Sequence, residues 1–256
     1  MSLHLAQVAR IVEEAGRIAA ARCGDDFRRW EKKAGEPVCD IDLEVDAFLN
    51  ERLRALEPDA GWLSEETLDL SDRIERRRLW VVDPIDGTRD YLRERPGWCV
   101  SVALVEDRVP VLGVLAAPAR GELWTASRGE GSWRNGEPLR VGRRAELAGA
   151  RVPADSLPEP DRDLVAVAKP NSIALRIALV AAGEADLVAT LRWGFEWDIA
   201  AAALIAEEAG ATVTGALGQP LAFNTASGEA FGVLVATPGI HAAAVERLRE
   251  RALAVV

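Results

Sequence analysis

Apolar residues recur at helical spacing from the start of the chain. Leu5, Val8, Ile11, Val12, Ala15 and Ile18 share one face, which predicts an amphipathic helix. A second helix is predicted from Leu43 to Leu56, with Val45, Phe48, Leu49, Leu53 and Leu56 on one side. The polar turn Asp40–Asp42 precedes it and Pro58 closes it. Between Trp98 and Trp124 the text becomes strand-like: WCVSVALVED, VPVLGVLAAP and GELWTA are separated by Gly, Pro and Asp, as in an antiparallel meander. Arg151 to Pro160 turns Pro-rich and acidic and reads as a link between two halves, 1–150 and 151–256. The second half runs through LVAVAK, a helix from Ser172 to Gly183 and the short strand ADLVAT. An Ala-rich helix follows Asp198 and stops at Gly210. FGVLVAT is a last strand, and Gly239 to Ala254 a last helix. Helices and strands interleave in both halves, so a layered sandwich of α/β or α+β class is the economical architecture.

One stretch breaks this pattern. In LWVVDPIDGTRDY, residues 79 to 91, a hydrophobic strand runs into two aspartates, a proline and a glycine. Carboxylates at a strand end are costly to desolvate unless something positive pairs with them. Asp83, a backbone carbonyl beside Pro84, and Asp86 present hard oxygens within one turn, the ligand chemistry that magnesium and manganese prefer. Gly87 lets a phosphate approach the backbone closely, and Thr88 to Tyr91 is read as the start of a helix whose N–H groups point at an anion. Metal and phosphate at one turn mean phosphoryl chemistry. Two other acidic places stand out. Glu65 and Glu66 follow WLS in a loop, and Asp198 stands where a helix begins, either as a cap or as a ligand.

Composition narrows the field. Of 256 residues, 49% are hydrophobic and 28% charged, ample for one large domain or two closely joined halves. The formal charge of -10 argues against a nucleic-acid polymer or a membrane surface as partner. It leaves room for an anionic substrate, because bound divalent cations reverse the local field. Cys23, Cys39 and Cys99 form neither a disulfide framework nor a CxxC pair. No run reaches the ~20 apolar residues of a membrane span, and no secretory signal opens the chain, so the expectation is a cytoplasmic protein. His4 and His241 sit near the ends in helical contexts and are read as surface residues. Chemistry therefore falls to carboxylates. Haloacid dehalogenase-type phosphatases also end a strand in DxDGT, but their aspartates are two apart, whereas Asp83 and Asp86 are three apart.

LSEET at 63–67, WVVDPIDGT at 80–88 and WDIAAAALIAEEAG at 197–210 together resemble the inositol monophosphatase superfamily, in the family's order and across nearly the whole chain. The resemblance implies a five-layer αβαβα sandwich with mixed sheets, of sugar-phosphatase type. It also implies lithium-sensitive, Mg²⁺-dependent hydrolysis of phosphate monoesters, with two or three ions and Mn²⁺ as a substitute. Glu65, Asp83 and the Ile85 carbonyl would hold one metal, and Asp83, Asp86 and Asp198 a second. A third ion would sit near Glu65. Asp42, in VCDIDLEVD, would orient the attacking water with Thr88, and the N–H groups of Gly87 and Thr88 would hold the phosphate. Two ions about 3.5–4 Å apart activate a water and stabilise the leaving oxygen without a histidine.

The chain departs from the family's pattern in places. Cys39 replaces the usual threonine before Asp42, which is expected to loosen support of that carboxylate. Leu191 stands where inositol-selective members carry a glutamate. Arg192 is read either as a ligand for a second phosphate or as the partner of a surface carboxylate. Glu196, in FEWD, and PLAFN at 220–224 resemble the branch that hydrolyses 3'-phosphoadenosine 5'-phosphate. The leading expectation is therefore an inositol monophosphatase-like enzyme, and the alternative a 3'(2'),5'-bisphosphate nucleotidase. Fructose 1,6-bisphosphatase activity and a non-catalytic regulatory role stand further back. Family members often form dimers, so a homodimer is a further expectation.

Overall fold

A computed structural model describes residues 3–24, 29–31, 37–67 and 71–256. Helices α1 (Leu3–Arg22) and α2 (Asp40–Leu56) are separated by the short pair β1 (Arg29–Glu31) and β2 (Pro37–Cys39). The next strands are β3 (Gly61–Ser64), β4 (Arg78–Asp86), β5 (Cys99–Glu106), β6 (Val109–Ala117), β7 (Glu122–Ser127), β8 (Gly131–Arg134) and β9 (Glu137–Pro138). They form one seven-stranded sheet in sequence order, antiparallel except where β3 runs parallel to β4. One turn of helix, α3 (Thr88–Tyr91), follows β4. The rest of the chain contributes β10 (Arg151–Pro153), β11 (Val165–Val167), α4 (Ile173–Ala181), β12 (Leu187–Phe195), α5 (Glu196–Glu208), β13 (Thr212–Thr214), β14 (Glu229–Ala236) and α6 (Pro238–Leu253). Here β12, β14 and β13 form a three-stranded antiparallel sheet.

Strand alternation builds the layers. Along β4 and β5, Trp80, Val82, Val100, Val102 and Leu104 join Val8, Val12, Val45 and Leu49 of α1 and α2 in one core. Their neighbours Leu79, Val81, Ala103 and Val105 face the other way, onto α4 and α5. In β14, Val233 and Val235 close that second core from its far side, whereas Leu234 and Ala236 turn outward to Ile240, Ala244 and Leu248 of α6. Helices, sheet, helices, sheet, helix: the five layers follow. Because α5 lies between two sheets, it must be apolar all round, and Ala200 to Leu204 are all buried. Its small residues let it approach closely. A Cβ on Gly113 of β6 would lie 2.7 Å from the Ala201 carbonyl.

Three boundaries differ from the sequence expectation. Helix α2 begins at Asp40, not Leu43, because Asp42 in its first turn accepts a hydrogen bond from the Cys39 N–H at 2.8 Å. Helix α5 begins at Glu196, which places Asp198 inside its first turn. Strand β12 continues beyond Thr190 to Phe195. Its register against β14 shifts between Thr190 and Trp193, and that bulge disguises the two-residue period. Trp62, Trp80, Trp98 and Trp124 pack in the core. Among the described residues, no helix is long and apolar enough to cross a membrane.

Candidate active site

In a regular strand, residues three apart face opposite sides. Asp83 and Asp86 escape that rule because β4 bulges between them: Asp83 pairs with Ser101 and Asp86 with Cys99, so Pro84 and Ile85 together face Val100. Proline is tolerated at such a bulge. The extra residue turns both carboxylates toward α4 and α5, while Ile85 packs with α1 and α2. Asp198 arrives from the other direction, on the first turn of α5. Carboxylate oxygens of Asp83, Asp86 and Asp198 lie within 4.8 Å of one another. The cap and ligand readings of Asp198 are compatible, since it also accepts from the Phe195 N–H at 3.2 Å.

These charges are held against their preference. Asp83 is 1% and Asp86 7% exposed. Burial, then the charges of Glu65, Asp86, Asp198 and Asp42, drive the Asp83 carboxyl well above its ordinary pKa. Burial, then Asp86 and Glu65, push Asp198 up to about 8, with the Phe195 N–H and Arg192 opposing. Burial also raises Asp86, opposed first by the Ser172 hydroxyl at 2.5 Å and next by the Ala174 N–H at 2.8 Å. Asp86 thus sits at the N-terminus of α4, whose cap is Ser172. Buried hard oxygens crowded together fit a divalent cation of the magnesium or manganese type.

The carboxylates floor a cleft of about 450 Å³ lined by Glu65, Asp83, Ile85, Asp86, Gly87 and Thr88 and by Lys169, Asn171, Arg176, Arg192 and Asp198. Glu65 emerges just past β3, its N–H donating to the Val82 carbonyl at 3.3 Å. The Thr88 hydroxyl donates to the Ile85 carbonyl at 3.0 Å, leaving that oxygen a second lone pair. Gly87 has φ +93, and a Cβ there would lie 2.7 Å from the Gly97 carbonyl and 2.8 Å from the Ser172 nitrogen. Protein packing, as well as any phosphate, therefore demands glycine. Asp42 stands behind the cleft, 1% exposed, near enough for its charge to act on Asp83. The Cys39 thiol donates to it at 2.9 Å, so a sulfur donor keeps the support that the sequence reading expected to loosen.

Two expectations about the substrate wall divide. Arg192 reaches the cleft: the bulge in β12 lies opposite Gly232, where φ is +60 and a Cβ would lie 2.4 Å from the Thr190 carbonyl. Glu196 does not. It is fully buried, and its carboxylate accepts from the Asn224 N–H at 2.6 Å, the Thr225 N–H at 2.8 Å and the Thr225 hydroxyl at 2.5 Å. Two residues before Asp198 on the same helix, it faces away from the cleft and does not line it. Trp193, 54% exposed, packs edge-on against Phe231 and does not line the cleft. Lys169, Asn171 and Arg176 were missed by the sequence reading. They flank a helix start far from any acidic motif, and only Ser172, as that helix's cap, carried a local signal.

A layered α+β fold with crowded carboxylates in a partly cationic cleft fits a metal-dependent phosphate ester hydrolase. The sequence pattern of the inositol monophosphatase family matches residues 4–256, and the chain belongs to that family. It is 32% identical over 243 residues to the 3'(2'),5'-bisphosphate nucleotidase CysQ of Aggregatibacter actinomycetemcomitans, spanning 88% of this chain and 89% of that one. It is also 32% identical over 247 residues to the histidinol-phosphatase of Mycobacterium tuberculosis, spanning 90% and 91%. Among solved structures, an inositol monophosphatase of Thermotoga maritima superposes with a TM-score of 0.83 at 29% identity, over 96% of this chain and 97% of that one. The enzyme is a phosphoric monoester hydrolase, and its relatives differ in the ester they act on.

Proposed function

We propose that this enzyme hydrolyses a small, soluble phosphate monoester with Mg²⁺, or Mn²⁺ in its place. The observation that carries this reading is the carboxylate group of Asp83, Asp86 and Asp198 within 4.8 Å, like-charged, the first two buried and Asp198 partly so, set in an open cleft. Together with Glu65 and the Ile85 carbonyl, it is the donor set that would hold the ions. When bound, they supply Lewis-acid charge for the attacking water and the leaving oxygen. The chain's own residues do the rest. Asp42 and Thr88 orient the water, Gly87 and Thr88 cradle the phosphate, and the cations of the cleft receive the remainder of the substrate.

The cations of the cleft favour one class of ester. Four carboxylates line the cleft, and so do four cations, Arg89, Lys169, Arg176 and Arg192. Lys169 is paired with Asp155. Arg176 donates to the Pro170 carbonyl at 2.8 Å; burial lowers its pKa, Asp86 opposes that shift, and Arg192 adds to it. With Lys169 paired, Arg176 and Arg192 are the cleft cations that would meet a substrate once divalent ions offset the carboxylates. A second anionic group on the substrate, as in a 3',5'-bisphosphate nucleotide, matches them better than a neutral inositol ring. Glu196, now buried, no longer supports that reading; Arg192 and Arg176 do. Phosphate release from inositol 1-phosphate and from 3'-phosphoadenosine 5'-phosphate, each with Mg²⁺ and with chelator, tests both levels. The expected result is chelator-sensitive release with the bisphosphate preferred. Preference for the inositol ester would overturn the second-anion reading, and chelator-resistant release would overturn the metal reading.

A further inference from the structure

Asp83 and Asp86 belong to the seven-stranded sheet, whereas Asp198 belongs to α5, from the other half of the chain. Their spacing depends on what holds the start of α5. One tie is the Glu196 N–H, which donates to the Gly228 carbonyl at 2.9 Å. The stronger tie is the Glu196 carboxylate, gripped by Asn224 and Thr225 as described above. Asn224 is 5% exposed and left-handed, with φ +57. Its side chain is locked in turn by Arg73: Nη1 of Arg73 donates to the Asn224 Oδ1 at 2.7 Å, and the Asn224 Nδ2 donates to the Arg73 carbonyl at 3.1 Å. Nη2 of Arg73 also donates to the Thr225 carbonyl at 3.0 Å.

Arg73 is 1% exposed and lies in the 3-10 turn Ser71–Glu75, which follows the Glu65 segment in the chain. That turn is pressed against β3, since a Cβ on Gly61 would lie 3.2 Å from the Arg73 Cβ and 3.3 Å from its Cα. From Arg73, packed on the strand leading to Glu65, a polar chain therefore runs through Asn224 with Thr225, and Glu196, to the turn of helix bearing Asp198. A buried guanidinium is tolerable only when hydrogen-bonded in this way. None of these four residues lines the cleft.

We infer that Arg73 is a positioning residue for the metal site: through Asn224, Thr225 and Glu196 it sets where Asp198 stands relative to Asp83 and Asp86. The inference rests on the metal reading of that carboxylate group. Magnesium demands near-ideal octahedral geometry, so a shift of Asp198 weakens the site before it unfolds the protein. Partners that orient metal ligands from behind change affinity by roughly 10–100-fold.

The test is Mn²⁺ binding to the whole protein by isothermal titration calorimetry, with the metal-induced rise in Tm alongside. Arg73→Met keeps most of the stem and removes the guanidinium; Thr225→Val removes one donor to Glu196. The expected dissociation constant rises about tenfold in Arg73→Met and by less in Thr225→Val, with phosphate release recovering at high metal. Asp186→Asn, which breaks a buried ion pair outside the cleft, is expected to lower Tm and leave the metal constant unchanged. An Arg73→Met protein that melts early yet binds Mn²⁺ like wild type would reduce the network to a structural brace, as would equal weakening in Asp186→Asn. If Arg73→Met does not fold, Thr225→Val decides alone, and an unchanged constant there overturns the inference. Absence of Mn²⁺ binding in the wild type would overturn the metal reading itself, and the positioning role with it.

Discussion

Asp83 is a side chain whose charge the protein strongly opposes. It is buried, and four other carboxylates act on it, which is tolerable only beside a cation. Replacing it with asparagine removes the like charge and keeps the shape. Metal-free Asp83→Asn is therefore expected to melt higher than metal-free wild type in a scanning calorimeter. Its metal-dependent phosphate release is expected to fall by about a hundredfold or more. Undiminished turnover would refute the place given to Asp83. Cys39 shows the same scale from the opposite side. Burial, then the Asp42 charge, holds the thiol up at about 12, so it stays protonated and keeps donating to Asp42. Where the family's pattern has threonine, Cys39 still supplies a hydrogen-bond donor to Asp42.

At the scale of elements, two irregularities build the site. The bulge of β4 places Asp83 and Asp86 on one face, and the bulge of β12 aims Arg192 into the cleft. Both are departures from the two-residue period that lets a strand be recognised in a sequence. Helix α5 carries Asp198 between the two sheets, and its distance from the larger one is set at Gly113. A side chain there meets backbone, which cannot rotate away. Gly113→Ala is expected to cost about 1–3 kcal/mol by overpacking, measured by urea unfolding. An equally stable variant would show that α5 is free to lift from the sheet.

For the whole molecule, the two halves share one core: Leu63, Val81, Leu115 and Trp124 of the first lie with Ala201, Leu204 and Val233 of the second. Arg151 and Arg144 are both held by Asp186, 2% exposed, at 2.8 Å and 3.1 Å. Burial alone would raise its pKa, but the Arg151 hydrogen bonds and charge, with Arg144, bring it below the ordinary value. Its contribution is thus complete above about pH 4, the ordinary carboxyl pKa, and is lost as pH falls through the lower folded value. Asp186→Asn is expected to cost about 1.5–3 kcal/mol at pH 7 and progressively less in acid. Denaturant unfolding at pH 7 and pH 3 measures both. A cost that grows in acid would contradict the assignment.

Most of what local chemistry dictates was legible in the sequence. Amphipathic spacing in 5–18 and 43–56, the strand runs between 98 and 124, and the carboxylates punctuated by Pro84 and Gly87 gave the layered class and the phosphoryl chemistry, because periodicity and donor type are properties of neighbouring residues. The family motifs carried the expectation of five layers and of hydrolysis. Only the tertiary structure could decide what depends on residues distant in sequence. It set the faces onto which the bulges turn Asp83, Asp86 and Arg192, and it brought Lys169 and Arg176 to the cleft. It also buried Glu196 against Asn224 and Thr225, 28 and 29 residues further along. Burial and approach are fixed by what packs on the far side of an element, and no stretch of its own residues encodes that neighbour.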